Sequence, residues 1–142
     1  MPTTGPYVQT ACICEKVLQE QDGVLSAIRI IDRQILTVPA NLPAETLPAV
    51  ELRHTLLICL KSGEARGSMS LHLSVEPPSG IRLQEQQLPL FFEGEDRGVN
   101  LIIPMQMQLS VPGLYWFDLR LEDELLVRIP FRLLVQRIGA SS

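Results

Sequence analysis

Alternation of apolar and polar side chains with a period of two is the feature that most restricts what this chain can fold into. Over 99–111, Leu101, Ile103, Met105, Met107, Leu109 and Val111 share one parity, and Asn100, Gln106, Gln108 and Ser110 the other. Successive side chains of a β-strand point to opposite faces of its sheet, so the pattern describes a strand with one buried face. A helix would set Met105 and Met107 about 200° apart and scatter the row around its axis. The pattern recurs at 69–75, with Met69, Leu71, Leu73 and Val75 inward and Ser70, His72 and Ser74 outward. It recurs at 125–135, where Leu125, Val127, Ile129, Phe131, Leu133 and Val135 form the inward row.

Less regular runs complete the set. The stretch 24–38 is long and β-branched, and its parity slips at Asp32–Arg33, which predicts a bulge or a break into two strands. The middle of 52–61 is apolar on both parities, as a central strand covered on both faces would be. Pro89 interrupts 81–92, and a residue without an N–H belongs on a sheet edge. The only places for a helical turn are Glu15–Gln21 and the segment AETLPAVELR. Gly63–Gly67 reads as a hairpin loop, LKSGEARGSM.

The last two strands can be put in register. Residues 114–121 and 125–135 are inward at odd positions, and same-face residues must pair. A loop of Glu122, Asp123 and Glu124 satisfies this, with Leu121 opposite Leu125 and Phe117 opposite Ile129. On the outer face Asp118 then meets Arg128 as a surface ion pair, and Trp116 meets Pro130. An outward Trp116 near Leu114, Leu126, Pro130 and Leu134 is a partly apolar face, covered either by another element or by a partner.

Length and charge narrow the class. A chain of 142 residues is one domain by length and can bury a core without disulfides or metal. Proline and glycine break it at short intervals, and no repeat, linker or low-complexity run appears. We expect an all-β chain: a single two-sheet antiparallel sandwich, immunoglobulin-like or C2-like, of about seven to nine strands. Residues 7–137 form the domain, and 1–6 and 138–142 are flexible termini.

The formal net charge is −4, and the basic residues number 12, scattered rather than striped, so nucleic acid is not an expected partner. No stretch approaches the ~18 apolar residues of a membrane span, and the N-terminus lacks the basic and apolar regions of a secretory signal. Three cysteines, Cys12, Cys14 and Cys59, suit free thiols in a reducing cytoplasm better than a disulfide framework.

Candidate chemistry is thin. Cys12 and Cys14 project from one face of a strand, but Cys-x-Cys is not the knuckle of a zinc site, and His54 and His72 have no paired spacing. Buried free cysteine behaves by default as a small hydrophobe. Cys59 and His54 lie five apart on one strand and so point to opposite faces. Glu93, Glu95 and Asp96 occupy a Gly-flanked loop that could face calcium at a sandwich end, with Asp22, Asp32 or Glu122–Glu124 from other loops. Calcium takes about 6–8 oxygen ligands and no Asp-x-Asp pattern converges here, so a solvated acidic turn is the preferred reading. No phosphate loop, nucleophile elbow or paired His-Glu motif is present. The chain is therefore not expected to be an enzyme, and no cofactor is expected.

The best local motif is Val111-Pro112-Gly113-Leu114-Tyr115, a tight turn leading into an inward tyrosine. It is similar to the tyrosine corner of immunoglobulin-like sandwiches. With ACICEKV, DGVLSAIRIID and VPGLYWFDLRLEDELLVRIPFRLLV, the chain resembles a family of small, uncharacterised bacterial β-sandwich proteins. Their chains open on a Cys-containing strand and close on a Pro-Gly-x-Tyr hairpin. The likeness spans about residues 8–136, departing where Asp-Glu replaces a Gly-containing turn. It implies a sandwich and transfers neither activity nor site residues. The expected function is a non-catalytic protein-interaction or scaffold module, with a protein partner or self-association by sheet-face packing or by edge-strand addition next to Pro89. A ligand- or calcium-binding sandwich and a structural subunit of a phage or secretion assembly are the alternatives.

Overall fold

A computed structural model describes residues 5–83 and 85–139. The outermost residues of both expected flexible termini lie outside that range. The strands are β1 (Tyr7–Gln19), β2 (Leu25–Ile31), β3 (Arg33–Pro39), β4 (Val50–Leu52), β5 (Thr55–Gly63), β6 (Gly67–Glu76), β7 (Gln86–Phe92), β8 (Glu95–Pro104), β9 (Met107–Leu109), β10 (Gly113–Leu121) and β11 (Glu124–Ile138). Two sheets form a sandwich, one ordered β2-β1-β5-β8 and the other β3-β11-β10-β6-β7, with β4 and β9 as a small separate pair. The inner faces share one core. Ile13, Leu56, Ile58 and Leu60 of the four-stranded sheet pack against Leu71, Leu73, Phe117, Leu119, Phe131 and Leu133 of the five-stranded sheet. Phe117 and Phe131 meet edge-on at 6.5 Å, a favoured aromatic geometry.

The eleven strands among the described residues exceed the seven to nine expected, for two reasons. The run 24–38 breaks at Asp32, and the break is a change of sheet: β2 pairs with β1 in one layer, while β3 pairs with β11 in the other. The run 99–111 is not one strand. β8 ends at Pro104, which has no N–H to extend the ladder, and β9 restarts to pair with β4. Met105 and Leu109 nonetheless stay buried, so the parity held for them while the continuity did not, and Val111, expected inward, is exposed beyond the end of β9.

Other expectations meet the structure unevenly. β5 is central, between β1 and β8, and its residues Leu56 to Leu60 are all buried. β7, carrying Pro89, lies at an edge. The predicted helical turn near Glu15 is instead the end of β1, and 44–46 is a single 3₁₀ turn. Gly63–Gly67 is not a hairpin loop, because it carries the chain from one sheet to the other. The sandwich also has one parallel pair, β3 with β11. Only Asp32 separates β3 from β2, so little chain is available to reverse its direction before it pairs. Among the described residues, no helix is long and apolar enough to cross a membrane.

The last hairpin needs a correction. Phe117 does face Ile129, Asp118 faces Arg128, and Trp116 faces Pro130, as predicted. The turn, however, is Glu122-Asp123, with Leu121 opposite Glu124 and Arg120 opposite Leu125. A bulge between Leu119 and Arg120 absorbs the odd residue, which is Leu126, so a two-residue turn coexists with odd-to-odd pairing beyond it. Glu122 takes a left-handed φ of 52° to close the turn. The bulge reverses the two leucines: Leu125 is exposed, and Leu126 packs against the core. Leu126 therefore does not belong to the outer face.

Candidate functional site

The outward row of the five-stranded sheet follows from its registers. β10 contributes Leu114, Trp116 and Asp118, β11 contributes Arg128, Pro130, Arg132 and Leu134, and β3 contributes Arg33 and Ile35. Leu134 pairs with Ile35, Leu114 with Arg132, and Trp116 with Pro130. Four of the five residues predicted for an interface (Leu114, Trp116, Pro130 and Leu134) thus share one face. Sequence reasoning missed their neighbour Ile35, which is 52% exposed, although its parity beyond the Asp32 break was the available signal. Leu114, Pro130 and Leu134 line a shallow groove of about 350 Å³ with Asp32, Arg33 and Arg132.

Trp116 does not face water unaided. The Arg128 guanidinium lies over its ring at 4.6 Å, a cation–π contact. The same guanidinium donates from Nε to Asp118 Oδ1 at 2.7 Å and reaches Glu76 at 3.3 Å. Asp118 is fully buried, so the expected surface ion pair is in fact a buried carboxylate under cationic cover. Arg82, from the irregular segment after β6, supplies the second cation. Its Nη1 lies 2.9 Å from Asp118 Oδ2 but is aligned to donate to Ser74 Oγ at 3.0 Å. Oδ2 is thereby held by charge without an aligned hydrogen bond. The Asp118 contact also keeps the Arg128 guanidinium protonated, above its ordinary range. The sequence pointed to the Asp118–Arg128 register pair. It gave no signal for Arg82, which comes from a segment without periodicity.

A second feature lies where the sheets part at the β2–β3 crossing. Core parity places Ile13, Ile31, Leu36 and Leu56 inward. The same parity, carried two residues further, falls on Glu15, Arg29, Gln34 and His54. Four polar residues thus stand at core-facing positions at one end of the sandwich. They line a cleft of about 450 Å³ with Ile30, Ile31, Asp32, Arg33 and Ile35. Its charges are matched in pairs, Glu15 with Arg29 at 2.9 Å and Asp32 with Arg33 at 2.9 Å. Two buried atoms are not matched: among the described residues, Gln34 Oε1 and His54 Nδ1 have no hydrogen-bond partner. Burial lowers the His54 pKa, and Arg29 adds to this while Glu15 opposes it, so the ring is held neutral.

The remaining sequence candidates have structural accounts. Tyr115 donates to the Val111 carbonyl at 2.6 Å, which is the corner the Pro-Gly motif predicted. Gly113 there has a φ of +133°, and a Cβ would meet Pro78 at 2.9 Å. In the acidic loop Glu93 pairs with Arg97 at 3.0 Å, and Arg66 donates to the Glu93 carbonyl at 2.9 Å. Arg66 also lies 4.0 Å from Glu95, so two of the loop's three acids already face guanidinium groups. Cys14 and Cys59 are buried with Leu57 on the outer face of the four-stranded sheet, and Cys12 packs against them. Burial raises all three thiol pKa values, that of Cys12 to about 11. His54 is on the opposite side of that sheet, in the cleft. Among the described residues, no group of three or more His, Cys, Asp or Glu is arranged to hold a metal ion.

The model of a family of unknown function (DUF6941) matches residues 9–134. No curated protein matches the sequence. Among solved structures, the chain is similar to a crystal structure of an immunoglobulin-like protein from Pseudomonas aeruginosa. Identity is 16%, coverage is 91% of this chain and 96% of that one, and the TM-score is 0.43. The sandwich assignment rests on the two packed sheets themselves.

Proposed function

The chain belongs to the DUF6941 family, and we propose that it is a cytoplasmic binding module without catalysis of its own, whose partner is another protein. The observation that carries this reading is the outer face of the five-stranded sheet. Ile35, Leu134, Leu114, Pro130 and Trp116 make an apolar strip there that bends around Arg132, which lies between Pro130 and Leu134, with Arg33 and Arg128 at its borders. Apolar centres with arginine and tryptophan at hand are the composition of interface hot spots. Beneath the strip, the Asp118–Arg82–Arg128 cluster fixes the Trp116 ring before any partner arrives. A preset aromatic side chain loses less freedom on binding. Three free thiols support a reducing compartment. The arginine pairing of Glu93 and Glu95 favours a protein partner over calcium.

The test is a double variant, Trp116→Ala with Leu134→Ser, compared with the parent for sedimentation and for partners captured by crosslinking in the native cell. Loss of a captured partner, or of self-association, with melting retained is the expected result. Identical sedimentation and an identical partner set would remove the outer face from consideration.

A further inference from the structure

We infer that the free edge of β3 accepts an extended segment of a partner protein as an added strand, with an acidic residue opposite Arg33, a hydroxyl-bearing one opposite Gln34 and an apolar one opposite Ile35. The inference rests on the protein-binding reading above and moves the contact from the sheet face to its edge.

The sandwich has four sheet edges, β2 and β8 in one layer and β3 and β7 in the other. Natural edges are usually blunted against added strands. β7 carries Pro89, which has no N–H to give. β2 is broken in its middle by Arg29, whose φ is +55°. β8 begins with Glu95 at φ +59° and a register shift against β5. β3 has none of these devices. Its seven residues keep one unbroken register with β11, and its only proline is the last residue. Two edges keep an unbroken seven-residue register, β3 and 98–104 of β8, and β3 is the one that stands beside the unmatched Gln34 and His54 atoms.

The two rows of β3 state what an added strand must carry. A cross-strand neighbour shares the face of the residue it opposes. The outward row is Arg33, Ile35 and Thr37, bordering the apolar strip at Leu134. Arg33 sits opposite Arg132, and Arg132 has no carboxylate partner among the described residues. Of these two adjacent guanidinium groups only that of Arg33 is paired, with Asp32, which leaves room for one more negative charge. The inward row begins with Gln34, whose buried Oε1 has no hydrogen-bond partner among the described residues, and the unmatched His54 Nδ1 lines the same cleft. Leaving a buried polar atom without a partner is costly, so a donor delivered there gains what the free chain lacks. Because the charges of the cleft are already paired, the side chain that suits it is a neutral donor such as threonine.

The probe is a fluorescein-labelled peptide containing Thr-Val-Val-Thr-Glu, antiparallel to β3, with its glutamate opposite Arg33 and its second threonine opposite Gln34. Two further versions carry main-chain N-methyl groups on alternate residues, one on each parity. We expect saturable binding, slower amide exchange over 33–38, and at least tenfold weaker binding for one N-methyl parity only. Gln34→Leu should weaken the peptide several-fold, and changing that threonine to valine should abolish the difference between the two proteins. Ile102→Ala, on edge strand β8 of the other sheet, should leave peptide affinity within twofold. No binding, equal binding of both N-methyl versions, or a dimer whose 33–38 amides are already protected without peptide would each overturn the edge inference. If the outer-face variants still lose a native partner in that event, the protein-binding reading survives alone.

Discussion

The two outer faces of this sandwich solve the same problem with opposite chemistry. On the four-stranded sheet, Cys14, Leu57 and Cys59 are buried by packing with Cys12, Val17, Leu25 and Ala27, and thiols serve as small apolar groups. On the five-stranded sheet, the buried group is a carboxylate, Asp118, covered by the guanidinium groups of Arg82 and Arg128. The first face is held by packing, so every lost methyl group costs stability. The second is held by directional contacts that also set the Trp116 ring. Removing one member of a buried ion group is destabilising, yet an apolar replacement of the whole group can be neutral. The polar face therefore suits specificity more than stability.

The contrast can be broken at several points, the largest effect coming from the apolar face. Leu57 is 3% exposed, and Leu57→Ala should cost about 3 kcal/mol in urea denaturation. A loss below about 1 kcal/mol would mean that this face collapses around the gap and is not packed as described. Asp118→Ala should cost less, about 2 kcal/mol, because its two arginines are partly exposed and can rehydrate once released. Combining Asp118→Leu, Arg82→Met and Arg128→Met should recover that loss while Trp116 fluorescence becomes more mobile. If the triple variant is no more stable than Asp118→Ala, the cluster contributes stability after all.

Cys14→Ser places a hydroxyl among apolar neighbours beside the Cys12 thiol and should cost about 1 kcal/mol. An unchanged midpoint would show that the thiol face tolerates polarity. The smallest effect is one of pH. The His54 pKa is lowered in the folded chain, so the unfolded chain binds its proton first as pH falls. Its contribution is complete above the unfolded value of about 6.5 and is lost as pH drops from there to the folded value. His54→Gln should flatten the melting curve in that window. The Asp32 and Glu51 carboxyls, held low chiefly by hydrogen bonds from Arg33 and Arg53, act only at still lower pH. A profile unchanged by His54→Gln would mean that the ring is not shielded in the cleft.

Much of this was legible one strand at a time. Parity located the inward rows of β6, β8, β10 and β11, because a side-chain period of two is a local property of extended backbone. The slip at Asp32 and the Pro-Gly-Leu-Tyr corner were likewise local. The Trp116 strip followed from the pairing of two adjacent strands. Where reading failed, the deciding contact was remote. The Leu119–Arg120 bulge exchanged Leu125 for Leu126, and only the whole ladder reveals such an insertion. The crossings at Asp32 and Gly63–Gly67 are changes of sheet that a linear pattern does not distinguish from a bulge or a hairpin.

What the sequence determined by itself is therefore the list of strands with a buried face and the side chains that face inward, since neighbouring residues alone fix the pleat. Which strands became neighbours, and which sheet edge stayed open, was decided by the tertiary structure. Sheet order and long-range pairing depend on residues far apart in the chain. Asp118 shows the difference: its partner Arg128 was visible in a hairpin register. Arg82 and the burial that makes the pair matter came only from a segment folded across the face.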